Sequence, residues 1–245
     1  MKSLSTLFRR FLLFFTWPAA LVFTSCGDDD LASPDQGRVL ITHAAASANV
    51  KMKALVDNNE IGQLDYGKSS FYLNVNAGTP TFKISVASNG NEVASQAVTI
   101  ASNQYYSVFA YAPTSQTVGL VSFPDDLTAP ASGKAKIRIV HLGQGAPTSV
   151  KLSTTVPAVA DIPSTETQFG NASPFVEILP GSYNLAVTSG SSSATVTNVG
   201  DGTGSGSVGN KAYEAGKIYT VVVRGVNSTL LDPTLQPRAV IIQNN

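Results

Sequence analysis

Few side chains in this sequence carry reactive chemistry. Cys26 is the one cysteine among 245 residues. A lone thiol closes no internal disulfide and builds no thiolate metal site. The chemistry open to it is modification of the sulfur itself. His43 and His141 are the two histidines, and imidazole is both a common general base and a common metal ligand. Neither has a second histidine, a cysteine or paired carboxylates at ligand spacing. Both end a run of one form, Val39-Leu40-Ile41-Thr42-His43 and Ile137-Arg138-Ile139-Val140-His141. A histidine repeated at one place favours a structural requirement, a ring that caps the end of a first strand by hydrogen bonding.

The remaining candidates divide in the same way. Asp57-Asn58-Asn59-Glu60 offers oxygen ligands for calcium, but it lacks the ligand and glycine spacing of an EF-hand loop, and a hairpin tip accounts for it. Gly200-Asp201-Gly202-Thr203-Gly204-Ser205-Gly206 suggests a phosphate cradle. Such cradles lead into a helix, and Ser207-Val208-Gly209-Asn210 follows here instead, so a flexible loop open to binding is the better reading. Tyr105, Phe109 and Tyr111 share one strand parity, with Tyr66, Phe71 and Tyr72 nearby in sequence. They serve either as a sugar-stacking face or as core. Asp161, Glu166 and Glu177 form no derivable pair for acid–base work. Asn171-Ala172-Ser173 and Asn227-Ser228-Thr229 match the glycosylation pattern. No catalytic residue, metal ligand or cofactor is expected, and the chain does not read as an enzyme.

The elements that would position these residues come in two sets. Val50-Lys51-Met52 parallels Val150-Lys151-Leu152, Tyr66-Gly67 parallels Phe169-Gly170, and Ala77-Gly78 parallels Pro180-Gly181. Tyr106-Ser107-Val108-Phe109 parallels Tyr219-Thr220-Val221-Val222 late in each copy. Landmarks in one order indicate internal duplication. Phe82, Ile84 and Val86 alternate with Lys83, Ser85 and Ala87, the period of a half-buried strand. Ser88-Asn89-Gly90-Asn91 is turn chemistry. The expected fold is all-β, two tandem immunoglobulin-like antiparallel sandwiches at residues 37–123 and 134–245, joined by a Pro-rich linker at 124–133.

Ahead of them, Lys2, Arg9 and Arg10 precede an apolar run from Phe11 to Phe23, too short for a comfortable membrane span and interrupted by Pro18. Residues 1–25 therefore read as a cleaved secretory signal peptide. Thr24-Ser25-Cys26 resembles the lipobox of bacterial lipoproteins, with Phe23 where leucine is usual. The resemblance implies cleavage before Cys26, lipidation of its sulfur and acylation of the new amino terminus. Gly27, Asp28, Asp29 and Asp30 resemble the surface-export signal of lipoproteins in the Bacteroidetes group, and residues 26–36 then form a lipidated tether. The leader removes three of the 16 basic residues and leaves a net charge of about −3 against 16 acidic ones. That balance offers no basic stripe for nucleic acid.

The first-strand histidines, the Tyr-Gly or Phe-Gly step and the late Gly216-Lys217-Ile218-Tyr219-Thr220-Val221 strand resemble the domain of unknown function 4397 in both halves. Asn103 stands where the first copy would have the late glycine, and asparagine tolerates the same left-handed turn. The resemblance implies an exported tandem-domain protein and no catalytic residues. The expected function is a non-enzymatic envelope lipoprotein, lipid-anchored in the outer membrane and displayed at the cell surface or else facing the periplasm. It would serve binding, adhesion or scaffolding toward a protein or glycan ligand. The alternatives are a glycan-binding accessory of an uptake complex, a surface-fibre subunit, or a hydrolase.

Overall fold

The computed structural model describes residues 35–156, 158–200 and 210–245. The leader, Cys26 and Gly27 to Asp30 lie outside the described residues, as do 201–209 of the glycine-rich stretch. The first half has eight strands: β1 (Gln36–His43), β2 (Met52–Val56), β3 (Asn59–Leu64), β4 (Leu73–Asn76), β5 (Thr81–Val86), β6 (Glu92–Ala97), β7 (Tyr105–Tyr111) and β8 (Gly119–Asp125). They form two sheets, in the orders β4-β1-β7-β8 and β3-β2-β5-β6. Side chains of alternate residues meet between the sheets: Val39, Ile41, Met52, Phe82, Ile84 and Val108 share one buried cluster. The expected period of two at Phe82 and Ile84 is thus the inward face of β5.

The second half repeats the plan. Its strands are β9 (Ala135–His141), β10 (Ser149–Thr154), β11 (Ala160–Asp161), β12 (Thr167–Gln168), β13 (Val176–Ile178), β14 (Gly181–Tyr183), β15 (Leu185–Ser189), β16 (Ala194–Asn198), β17 (Lys211–Tyr213), β18 (Ile218–Arg224) and β19 (Arg238–Gln243). The sheet orders are β13-β9-β18-β19 and β11-β10-β15-β16, with β12 also on β10 and a separate β14-β17 ribbon. The fold is all-β sandwich, and the only helical pieces among the described residues are 3-10 turns at Ala46–Ala48 and Pro233–Leu235. Among the described strands pairing is antiparallel except in one pair per half: β1 runs parallel to β7, and β9 runs parallel to β18. The turn entering β7 uses Asn103 at φ 58°, and the turn entering β18 uses Gly216 at φ 80°. Asparagine does fill the glycine's left-handed role.

Two features differ from the expected arrangement of separate sandwiches on a linker. β8 pairs with β7 through Asp125, so Pro124 and Asp125 belong to a strand. Pro124 is tolerated because β8 is an edge strand. More consequentially, residues 34–245 form one compact unit. Phe109, Val121 and Phe123 of the first half pack with Val140, Val222, Val240 and Ile242 of the second in a shared apolar layer. The sheets containing β7 and β18 are therefore covered on both faces. Tyr106, Val108 and Ala110 of β7 point into their own sandwich, while Phe109 points into the shared layer. In β18, Tyr219, Val221 and Val223 point inward, and Val222 faces the other half.

Candidate functional site

A polar cleft of about 360 Å³ opens where β1 begins, lined by Asp35, Gln36, Arg38, Asn74, Ser102, Asn103 and Tyr105. β1 lies between β4 and β7, and its register sets Arg38 opposite Asn74 on one side and Tyr105 on the other. The left-handed Asn103 folds the chain back so that its N–H donates to the Gln36 carbonyl at 2.8 Å. The Arg38 guanidinium donates to the Tyr105 hydroxyl and lies 5.3 Å from the centre of that ring. Tyr105 in turn stands edge-on to Tyr72, with centroids 5.2 Å apart. Among the described residues no carboxylate comes within 4 Å of Arg38, although six other pairs do meet. Amides, a hydroxyl and a fixed guanidinium suit the binding of a polar or anionic group.

The same position in the second half is built differently. Lys136 takes the place of Arg38, opposite Glu177 on β13 and Ile218 on β18. Here the chain joining the halves lies over the strand. Lys136 Nζ donates to Asp126 Oδ2 at 3.0 Å, to the Thr128 carbonyl at 2.9 Å and to Thr128 Oγ1 at 2.8 Å. Glu177 accepts from the Ala131 N–H at 2.7 Å. Hydrogen bonds from Thr128, and then from Lys136, hold the Asp126 carboxyl below its ordinary pKa.

The histidines occupy equivalent and buried places. His43 Nε2 donates to the Val50 carbonyl at 3.1 Å, and His141 Nε2 to the Pro147 carbonyl at 2.9 Å. Each ring meets the aromatic of the Tyr-Gly or Phe-Gly step edge-on, His43 on Tyr66 and His141 on Phe169, both with centroids 5.6 Å apart. The rings pin the loop after the first strand, which is the capping role expected of them. Burial lowers both pKa values despite the carbonyl contacts. His141 Nδ1 is buried with no partner, so a second proton there has no acceptor.

A pH dependence follows. The unfolded chain binds these protons near pH 6.5 while the fold resists them, so stability is complete above that value. It falls as the pH drops toward the lowered folded values, by up to about 1.4 kcal/mol per pH unit for each histidine. Urea midpoints measured between pH 7.5 and 5.5 should decline, and His43→Asn/His141→Asn should flatten that slope while lowering stability at both ends. An unchanged slope in the double variant would remove the histidines as its cause.

Between the halves lies a buried ionic network that sequence reading missed. Arg138 Nη2 donates to Asp125 Oδ1 at 2.5 Å, and the two side chains are 2% and 0% exposed. Asp125 Oδ2 also accepts from Ser107 Oγ at 2.6 Å and from the Tyr72 hydroxyl at 2.5 Å. Arg138 Nε donates to Thr220 Oγ1 at 3.1 Å and Nη1 to the Pro124 carbonyl at 3.1 Å. Asn244 closes the circuit, donating to the Tyr72 hydroxyl at 3.0 Å. Burial first, and then the Asp125 charge, push the Tyr72 phenol well above its ordinary range. At the far end of β18, the Arg224 guanidinium lies 4.3 Å from the Tyr66 ring centre, against Gly67, whose missing Cβ would stand 2.6 Å from Nη2.

The other expected candidates serve local structure. Asp57 and Asn58 form the β2–β3 tip at φ 48° and 69°, and Asp57 Oδ1 accepts from the Thr81 N–H at 2.8 Å. Glu60 accepts from Gln63 at 2.8 Å. Asp161 takes Lys151 at 2.5 Å, Ser193 at 2.7 Å and Ser153 at 2.7 Å, and these bonds lower its pKa to about 2. Glu166 accepts from Ser149. No group of three His, Cys, Asp or Glu side chains among the described residues is placed to hold a metal. Of the aromatics singled out, Phe71 stands 91% exposed, whereas Phe109 is buried in the shared layer and Tyr66, Tyr72, Tyr105 and Tyr111 are partly covered. They form no common stacking face. The signal for the network was the charged Arg138 set between Ile137 and Ile139 in β9. The signal for the covered second-half site was a repeated segment, Asp125-Asp126-Leu127-Thr128-Ala129-Pro130 after Asp29-Asp30-Leu31-Ala32-Ser33-Pro34.

No curated protein matches the chain. Among solved structures, the tip fimbrial protein Mfa3 of Porphyromonas gingivalis aligns over 85% of this chain and 99% of its own, at 9% identity and a TM-score of 0.26. A putative cell adhesion protein from Bacteroides fragilis aligns over 85% and 97%, at 13% identity and a TM-score of 0.19. Scores this low carry no argument about function. Residues 37–153 match the family described as a domain of unknown function (DUF4397), in one match that runs from β1 through the whole first half into β10, rather than in the two expected.

Proposed function

We propose that this protein is a non-enzymatic cell-envelope lipoprotein, anchored through Cys26 and serving as a binding or adhesion scaffold toward a protein or glycan ligand. One observation carries the reading: the sole cysteine follows Thr24-Ser25 at the end of an apolar leader. The outer membrane is the partner of the anchor, and Gly27 to Asp30 direct surface display. Support for two copies of one domain comes from the matching sheet orders, the paired histidines and the Arg38–Lys136 correspondence. Among the described residues no helix is long and apolar enough to cross a membrane. Several acyl chains give stable attachment where one does not.

Membrane fractionation and protease shaving of intact cells test this. Wild type should sediment with membranes and be cut by external protease, and Cys26→Ala should leave the membrane fraction. A soluble wild type overturns the anchor; a membrane-bound but protected one overturns surface display alone.

A further inference from the structure

We propose that the cleft around Arg38 is a site for a sugar acid: it takes one uronic-acid residue of a glycan, the carboxylate on Arg38 and the ring hydroxyls on the surrounding amides and Asp35. This rests on the binding role proposed above and narrows it to a ligand class. The guanidinium is held in place without a ligand. Its Nη1 donates to the Tyr105 hydroxyl, Tyr105 stands edge-on to Tyr72 with centroids 5.2 Å apart, and the Tyr72 hydroxyl donates to buried Asp125 at 2.5 Å. Arg38 is thereby tied to the ionic network between the halves. With Nη1 engaged, the Nε–Nη2 edge presents two parallel donors, the arrangement that a planar carboxylate matches. A side chain already fixed in its binding geometry loses little freedom when a ligand arrives.

The second half shows which groups satisfy a cation at this place in the fold. Lys136, at the position of Arg38, is met by the Asp126 carboxylate at 3.0 Å and by the Thr128 hydroxyl at 2.8 Å. That hydroxyl also donates to the other oxygen of the same carboxylate, at 2.6 Å. A hexuronic acid carries the same two groups, a carboxylate and a hydroxyl, on neighbouring ring carbons. The remaining lining selects among carboxylates. Asp35, Gln36, Asn74, Ser102 and Asn103 supply donors and acceptors suited to hydroxyls, and the lining includes no aliphatic side chain to receive the apolar residues of a peptide. Two of these groups are held by their neighbours, Gln36 donating to Asn76 Oδ1 at 3.1 Å and Asn103 to Ser102 Oγ at 3.2 Å. Asp35 is itself negative, so a run of carboxylates would be repelled where a sugar hydroxyl finds an acceptor.

The test uses full-length mature protein carrying Cys26→Ser, titrated by ligand-observed NMR with methyl glucuronoside and with methyl glucoside. The two probes differ only in whether the carbon outside the ring is a carboxylate or an alcohol. The acid should bind about tenfold or more tightly, the effect of one charge-assisted pair. Arg38→Gln should bring the acid down to the level of the neutral sugar, and Lys136→Gln should bind as wild type does. Arg38 is exposed, so the fold should survive its replacement, which far-UV circular dichroism checks. Equal affinity for the two sugars, no binding of either, or unchanged binding in Arg38→Gln overturns the proposal. A tetraglutamate peptide that displaces the glucuronoside at lower concentration than the sugar itself also overturns it, by making the ligand an acidic peptide. The lipid-free protein keeps this result apart from the anchor: a failed titration alongside membrane-bound wild type removes the sugar-acid site and leaves the lipoprotein reading standing.

Discussion

Replacing Asp125 with alanine lowers the stability of the whole body by about 3–5 kcal/mol, the usual effect of removing one partner from a buried ion pair. The measurement is a shift of the urea midpoint at unchanged slope. The size follows from what is stranded. Asp125 accepts from Arg138, Ser107 and Tyr72, so alanine leaves a guanidinium, a hydroxyl and a phenol inside the protein without their acceptor. The guanidinium cannot turn to water, because Arg138 is 2% exposed and is pressed on the Phe175 ring, 4.4 Å from its centre. The converse experiment separates pair strength from desolvation. Asp125→Leu with Arg138→Met removes both charges and should recover most of the loss, since a packed apolar pair can equal a buried ionic one. The recovery should stay incomplete, because Tyr72, Ser107 and Thr220 lose partners too. A loss below about 1 kcal/mol for Asp125→Ala would mean that the pair is hydrated.

The same network shows where reading the sequence stops. Alternation at Phe82, Ile84 and Val86 gives a strand with one inward face, and strands of that kind were legible. The paired histidines were legible as structural, because each meets one carbonyl and one aromatic in its own half. Asn103 was legible from its place where the second copy has Gly216, together with its tolerance of a left-handed backbone. The shared layer was not. Its signature is apolar residues at both parities, as in Tyr106-Ser107-Val108-Phe109-Ala110 and Tyr219-Thr220-Val221-Val222-Val223, which marks strands covered on both faces. That pattern says a second face is buried but not what buries it. The Arg138–Asp125 pair was not legible, because burial of a charge is rare and depends on a partner distant in the fold. The polar cleft draws Asp35, Gln36, Arg38, Asn74, Ser102, Asn103 and Tyr105 together only through the register of β4, β1 and β7. No local pattern announces it.

Phe109→Ala decides whether the two halves behave as one body. Phe109 is fully buried, packed 6.1 Å from Phe123 within its own half and sharing a layer with Val140, Leu142 and Val222 of the other. Truncating a buried phenylalanine costs about 3–5 kcal/mol, since the lost transfer energy is joined by the cavity left behind. Were the halves independent, that loss would fall on the first alone, and calorimetry would show one transition moved and another fixed. The shared layer predicts otherwise. Each half exposes its inner sheet if the other unfolds: Phe109, Val121 and Phe123 on one side, Val222, Val240 and Ile242 on the other. Exposing that apolar surface, together with one end of the Asp125–Arg138 pair, costs enough to couple the two unfolding steps. Wild type and Phe109→Ala should therefore each melt in a single transition with equal calorimetric and van't Hoff enthalpies, displaced to lower temperature in the variant. A second transition left at its original temperature would show two domains that merely touch. A single displaced one makes the two halves one cooperative unit, which is what the proposed scaffold role requires.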